Sequence, residues 1–243
     1  MSFRRALAPY IQHPETKIKS DLVFYDDKVT IIRDAFPKSR VHYLILPRDP
    51  SITRQSPLTV FDGEKGARLK AHLAPYVTMA KRLVICEMYN SVWGEAIQQT
   101  YPPEDDPQCK RYENYGEAFH SLVDEEHLDE YVLAGFHAVP SLENLHIHVL
   151  TGDFTSDRLK NRKHYNSFNT PFFINFEDLP FSPARLEAAR RNGIDYQNAK
   201  AMEQIVKTTD LRCIHCGENF RGHFAQLMPH LRDEYDKRFT DAT

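Results

Sequence analysis

Blocks of alternating and cycling apolar positions run along this chain, and together they predict an α+β fold. Leu22-Val23-Phe24-Tyr25 leads into the turn pair Asp26-Asp27, and Val29-Thr30-Ile31-Ile32-Arg33 reads as the returning strand of a hairpin. Val41-His42-Tyr43-Leu44-Ile45-Leu46 is nearly all apolar, the pattern of a central strand covered on both faces. Asp34 to Arg40, between them, reads as a polar loop. Residues 57–85 carry a helical period instead, with Leu69, Leu73, Val77 and Ala80 on one side, and Pro75 should kink or divide that helix. Strands are predicted at 131–137 and 145–151, joined by the loop 138–144. A short apolar-basic helix is expected over residues 2–12, and a helical linker over 183–208. The proline-rich acidic stretch 101–116 reads as an exposed insertion loop without catalytic content. No internal repeat is evident.

The most informative block is Leu145-His146-Ile147-His148-Val149-Leu150. Successive side chains of a strand point to opposite faces. Leu145, Ile147 and Val149 therefore line a core, and His146 and His148 share the other face. His137 lies upstream in Gly135-Phe136-His137-Ala138-Val139-Pro140-Ser141. Two histidines on one face also suit half a zinc site. His42, in its buried-looking strand, is expected to be a hydrogen-bonded core histidine.

Length, charge and cysteines narrow the classes. The 243 residues suffice for one large domain, or one domain plus a small module. No apolar run reaches the roughly 18 residues a membrane-spanning helix needs. The first residues hold Arg4 and Arg5 but no apolar core of a secretory signal, and an amphipathic surface helix over Ser2 to Tyr10 is favoured over a transit peptide. The net charge of −3 means that contact with nucleic acid must come from a local patch. Four cysteines, two of them in one CxxC pair, do not make a disulfide framework, and a reducing compartment fits.

That pair is Cys213-Ile214-His215-Cys216, followed after thirteen residues by His230. CxxC with a histidine at this distance is a strong zinc signal. Glu234 lies at i+4 from His230, on the same helix face, while His223, His215 and Asp233 compete as fourth ligand. Pro229 predicts a bend there. A site with four protein ligands is structural.

Phe136 to Ser141 and Asn144-Leu145-His146-Ile147-His148-Val149-Leu150 resemble the histidine-triad motif of nucleotide hydrolases and transferases, with Asn144 where the first histidine usually stands. Three further segments match the aprataxin family in the same order: Asp34-Ala35-Phe36-Pro37-Lys38-Ser39-Arg40, the basic run Leu159 to Thr170, and the terminal zinc-finger segment. The resemblance covers nearly the whole chain, with the acidic insertion least matched. It is closest to the short, fungal-type form without a forkhead-associated domain.

The resemblance implies a histidine-triad fold, with a mainly antiparallel sheet and flanking helices over 1–182, a linker over 183–208 and a C2HE-type finger over 209–243. It implies removal of AMP from adenylated 5′ ends of nicked or broken DNA left by abortive ligation. His146 aligns with the nucleophile. His148 is expected to bond phosphate oxygens, and His137 to act as a charged or proton-donating group near the leaving phosphate. Ser141 would donate to a phosphate oxygen, and the Asn144 amide would orient His146. Asp34 sits where the superfamily binds ribose hydroxyls, though an Asp before Phe36-Pro37 also initiates turns. Val23, Phe24 and Ile32 of the first hairpin are the apolar candidates beside adenine.

Cys213, Cys216, His230 and Glu234 would hold one structural zinc per chain. No catalytic metal is expected, because positioned donors can offset phosphoryl charge. Phe3 aligns with a helix that stacks on an open base pair. Lys38, Arg40, Lys160, Arg162, Lys163, His164, Tyr165 and Arg221 would form a track along DNA, joined by Arg212 and His223. The expected partners are nicked or broken DNA and RNA–DNA junctions, with AMP as product. The chain is expected to be a monomer, without membrane contact, and nuclear or also cytoplasmic from its substrate. Two rivals remain. One is a general nucleotide hydrolase of AMP-amines or dinucleoside polyphosphates. The other is a non-catalytic DNA-end binding module whose triad decayed through Asn144, against which the retained His137, Ser141, His146 and His148 argue.

Overall fold

Strand alternation resolves into a sheet with one hydrophobic face and one face that carries the histidines. A computed structural model describes residues 3–18, 20–100 and 128–239, and the 101–116 stretch lies outside the described residues. The main sheet holds β1 (Leu22–Tyr25), β2 (Val29–Arg33), β3 (His42–Pro47), β4 (Val132–His137), β5 (Ile147–Thr151) and β6 (Phe173–Asn175). These pair antiparallel in the order β1-β2-β3-β5-β4-β6. β3, expected to be central, lies between β2 and β5, and every residue of it is buried.

On one face Val29, Ile31, Tyr43, Ile45, Phe136, Ile147 and Val149 meet Leu73, Val77, Ala80 and Val84 of a long helix, Gly63–Thr100. Each such side chain contributes roughly 1.5–3 kcal/mol on burial. That layer anchors the sheet and leaves the opposite face to polar groups. The break expected at Pro75 occurs earlier, where a short helix, Pro57–Val60, gives way at Phe61-Asp62. Pro75 and Ala71 are both exposed, so the carbonyl that Pro75 leaves unbonded faces water and the helix runs on. The N-terminal helix is also divided, into a 3-10 turn at Phe3–Arg5 and a helix at Ala8–Gln12. Pro9 is tolerated in the first turn of the second piece but not inside a continuous 2–12 helix.

The linker is two helices, Pro183–Arg191 and Ala199–Thr208, capped by the side chains of Ser182 and Asn198. Beyond them β7 (Leu211–Arg212), β8 (Asn219–Arg221) and the helix Phe224–Phe239 build the finger. The helix continues through Pro229, where a bend was expected. Leu211, Leu227 and Leu231 of the finger share one buried cluster with Leu150, Phe154, Leu159 and Tyr165. The boundary expected near 208 therefore runs through a common core.

Tyr165 holds that core together. Its ring is fully buried, and its hydroxyl donates to Arg212 O at 2.9 Å and accepts from Ile214 N–H at 3.0 Å. This corrects the expectation that Tyr165 touches DNA: the hydroxyl is engaged by the finger backbone. Tyr165→Phe should strand both main-chain groups and destabilise the protein by roughly 1–3 kcal/mol, read as a lower urea midpoint with the affinity for nicked DNA unchanged.

Candidate active site

His146 stands immediately before β5, with its Nδ1 2.7 Å from the main-chain oxygen of Asn144. A carbonyl oxygen only accepts, so Nδ1 carries the proton and Nε2 keeps its lone pair. That is the tautomer a nucleophile needs. The Asn144 side chain turns elsewhere: Nδ2 donates to Thr53 Oγ1 at 3.1 Å, while Leu145 N–H donates to Thr53 O at 2.6 Å. The expected role of the Asn144 amide is thus corrected. The main chain orients His146, and the side chain fastens the loop to Thr53. Any residue offers that carbonyl, which is why asparagine serves where the pattern has histidine.

A second run of bonds fixes His148. The Lys38 N–H donates to His42 Nδ1 at 3.2 Å, so His42 carries its proton on Nε2, 3.0 Å from His148 Nδ1. His148 Nδ1 accepts, and its Nε2–H remains a donor, buried and without a partner among the described residues. One imidazole therefore offers a lone pair and its neighbour an N–H, with ring centroids 4.8 Å apart. His42 is buried and hydrogen-bonded as expected, but its partner makes it the positioner of His148. The Lys38 loop is itself pinned by buried Asp153, whose carboxylate accepts from Arg40 N–H at 3.2 Å and Thr155 N–H at 2.9 Å. Only its place just beyond β5 could have marked Asp153 in the sequence.

His137 reaches the same face from β4, its ring centroid 4.3 Å from that of His148. Gly135 pairs with His148 across the strands, and a Cβ there would lie 2.3 Å from Ile174 O, so only glycine fits. Phe168 closes the cluster, with its ring 4.7 Å from His137 and 5.3 Å from His148. Phe168 falls within the basic run that resembles the family, yet sequence alone gave it no role.

Burial lowers the proton affinity of all four imidazoles. His42 falls from the ordinary 6.5 to about 4, and His137 and His148 fall well below their usual range, with neighbouring imidazoles adding to desolvation. His146 is also lowered by desolvation, against opposing pulls from the Asn144 carbonyl and Asp34. For His137, expected to be charged or proton-donating, desolvation favours the neutral ring, which keeps an N–H to donate. Asp34 places Oδ1 on Phe36 N–H at 2.8 Å, making the turn, and Oδ2 3.6 Å from His42 Nδ1. Asp34, His42 and His148 bring ligand atoms within 4.8 Å of one another. Within that group the Nδ1 lone pairs of both histidines are engaged in the bonds just described.

In the finger, Cys213, Cys216 and His230 place their ligand atoms within 4.8 Å of each other, and His230 Nε2 lies 3.2 Å from Cys216 Sγ. Thiolates and imidazole about 2.0–2.3 Å from a shared ion suit zinc. Gly217, at φ +77°, closes the turn, and His215 N–H points at Cys213 Sγ, 3.4 Å away. Glu218, not singled out in the sequence, lies 3.6 Å from His230 Nδ1. Glu234 is not in the three-residue cluster, and its carboxylate lies 3.5 Å from Lys237 Nζ.

The HIT domain family matches residues 15–155, and the C2HE / C2H2 / C2HC zinc-binding finger family matches residues 169–237. The chain is 38% identical over 240 residues to the aprataxin-like protein of Saccharomyces cerevisiae, covering 98% of this chain and 99% of that one. The chain belongs to the aprataxins. The aprataxin-like protein of Schizosaccharomyces pombe is 32% identical, covering 97% of this chain and 82% of its own length. A solved structure of Hnt3 in complex with DNA and guanosine matches with a TM-score of 0.65 and 30% identity, over 100% of both chains. A crystal structure of the aprataxin ortholog Hnt3 in complex with DNA matches with a TM-score of 0.65 and 33% identity, over 97% of this chain and 96% of that one.

Against this aprataxin frame the remaining candidates separate. Val23 and Phe24 pack into the helix-side core, Phe24 with its ring 6.3 Å from that of Tyr76. Both are therefore corrected as adenine contacts, because they lie on the wrong face of the sheet. Ile32 lies on the histidine side, in a cross-strand row with Leu44 and His148. Ser141 is exposed on the loop ahead of His146, and Phe3 is 65% exposed. Lys160, Lys163 and Arg221 are exposed, and His164 is half-buried with Nδ1 accepting from Lys160 N–H at 3.1 Å. Burial lowers the proton affinity of Lys38, and burial followed by the charge of Lys38 lowers that of His164.

Two cations have structural duties instead. Arg162 donates to Lys207 O at 3.1 Å and packs so closely on Gly222 that a Cβ there would meet it at 2.3 Å. Its expected place on DNA is corrected to a strut between the basic run, the linker and the finger. Arg40 holds its guanidinium 4.4 Å from the ring centroid of Tyr235 in the finger helix, and remains exposed.

An imidazole whose proton affinity is depressed by folding stabilises the fold above its unfolded pKa and loses that contribution on acidification. For His42 the loss begins as pH falls below 6.5 and is complete near about 4. Urea midpoints measured across that window should fall with pH, and His42→Gln should flatten the fall.

Proposed function

We propose that this chain removes AMP from 5′-adenylated DNA ends and restores the 5′-phosphate, through a covalent adenylate on His146. The observation that carries this reading is the pairing, on one buried face of an aprataxin chain, of the His146 Nε2 lone pair with the His148 Nε2–H. His146 Nε2 attacks the α-phosphorus of the 5′–5′ pyrophosphate. The P–N bond forms as the bond to the bridging oxygen breaks, and the DNA 5′-phosphate departs with that electron pair. Water then attacks the same phosphorus, the P–N bond breaks, AMP leaves, and His146 regains its lone pair as the proton of water passes to solvent. Splitting one displacement into two lowers each barrier.

His148 Nε2–H donates to a non-bridging oxygen where charge gathers. Neutral His137 lines the leaving-group side and offers an N–H, and Ser141 adds its hydroxyl. Asp34 accepts from the ribose hydroxyls, with Ile32 on the adenine side. These donors supply the stabilisation without a catalytic metal. His146→Ala should lower release of AMP from a nicked, 5′-adenylated duplex by about 10³-fold or more. A rapid quench of the parent in alkaline denaturant, where a histidyl phosphoramidate survives, should yield the adduct on residue 146, and label found on another residue would sink the mechanism.

DNA binding is supported by the Hnt3 complexes with DNA. Phe3 stacks on the open base pair at the break, while Lys38, Lys160, Lys163, His164, Arg221 and the exposed side of Arg40 meet phosphates. The reacting groups belong to the pyrophosphate, so the same cap on an RNA–DNA junction is also a substrate. The protein acts as a monomer, in the nucleus, where broken genomic DNA lies.

Cys213, Cys216, His230 and Glu234 hold one zinc ion, which fixes the finger rather than taking part in the reaction. In this reading Glu234 exchanges its contact with Lys237 for the ion. Elemental analysis should give about one zinc per chain, and Cys216→Ser should lower that content.

A further inference from the structure

The histidine face has two shoulders. The finger and the basic run form one, and the candidate phosphate contacts named so far line that side. The other shoulder is the N-terminal arm, whose Leu7 and Ile11 pack on Ile32, Leu44 and Leu46, together with the turn at residues 50–56. Both pieces are tied to the loop that carries the nucleophile. Glu143 N–H donates to Arg4 O at 2.8 Å, Arg5 Nε meets the Glu143 carboxylate at 3.1 Å, and Leu145 N–H reaches Thr53 O at 2.6 Å.

Arg4 and Arg54 project from these tied backbones. Both are exposed, and both line a cavity of about 860 Å³ that also meets Leu142 and Glu143 of the nucleophile loop. Arg54 borders a second cavity, of about 720 Å³, that reaches Thr53 and Asn144. Nearby cations are engaged: Arg5 with Glu143, and Arg48 with the main-chain oxygens of Ile11 and Asp26. Among the described residues, neither the Arg4 nor the Arg54 guanidinium has a hydrogen bond or ion pair. Two carboxylates, Asp62 and Glu143, line the larger cavity, and Glu143 is offset by Arg5. Two guanidiniums therefore face one uncompensated carboxylate, and Arg4 is the residue that follows the exposed Phe3.

We infer that Arg4 and Arg54 form a second phosphate-gripping edge, across the histidine face from the finger, that holds the duplex on the far side of the break. An aromatic ring with planar cations beside it suits a stacked base followed by its phosphates. Held from two sides, a nicked end sits with its pyrophosphate over His146 without any base being read. The inference rests on the proposed action on DNA ends.

Counterion release gives the test. Each phosphate neutralised on duplex DNA adds about 0.9 to the slope of log affinity against log salt. For the full chain with its zinc, binding to a nicked 5′-adenylated duplex is measured from low to moderate salt. Arg4→Gln and Arg54→Gln should each flatten the slope by about 0.9, and the double variant by about 1.8. Arg54→Lys should keep the parent slope. Melting temperatures equal to the parent's separate loss of charge from loss of fold. If the parent neither binds nor turns over that duplex, the proposed function fails and this inference with it. If the parent does both and the glutamine variants keep its slope, the inference alone is overturned. An Arg54→Lys slope as flat as that of Arg54→Gln also overturns it, since phosphate neutralisation needs only the charge.

Discussion

Four imidazoles share one sheet face, with His42, His146 and His148 buried and His137 half-buried, and desolvation there favours the neutral form of each. Neutrality then makes the tautomer the decisive variable, because a neutral ring has one donor and one acceptor. Two main-chain groups set it: the Asn144 carbonyl for His146 and the Lys38 amide for His42, which passes the choice on to His148. Main-chain groups do not titrate. A nucleophile governed this way has its tautomer set by a group that no change of pH removes. The arrangement costs stability in acid, and the hydrophobic layer on the opposite face offsets that cost.

These two main-chain groups lie in loops, and the rest of the fold can be understood as what holds the loops still. Thr53 and the N-terminal arm grip the stretch before β5. Asp153 grips the loop before β3 through its contact with Arg40 N–H. Phe168 roofs the rings from the segment that also carries Tyr165, so the roof and the finger's main anchor sit on one short piece of chain. Positioning of the reacting nitrogens is thus distributed over four segments far apart in sequence.

What was legible in the sequence is what is local. Alternation along one strand placed His146 and His148 on one face, and the spacing from CxxC to histidine, within one short turn-and-helix segment, brought together Cys213, Cys216 and His230. The errors arose where a face or a partner is decided elsewhere. The irregular register between Leu22 and Phe24 sends Phe24 into the helix layer, and alternation cannot reveal such a slip. Arg162 and Tyr165 belong to a basic, aromatic run that reads alike whether it meets solvent or another part of the chain. Pro75 marks a break only where its freed carbonyl would be buried, and there it is not. Thr53 has no signature at all, and Asp153 has only its place just beyond β5, since their partners are distant in sequence.

Leu150 is the next residue but one after His148 on the same strand face, and it packs in a cluster completed by Leu211, Leu227 and Leu231. A nuclease or hydrolase whose accessory lobe hangs on a tether can lose that lobe and keep its chemistry. Here the strand that bears the reactive rings would be left with a bare hydrophobic flank. Evolution of this chain is therefore constrained to keep or discard both halves as a unit, and shuffling the C-terminal part onto another catalytic body would require rebuilding the shared seam.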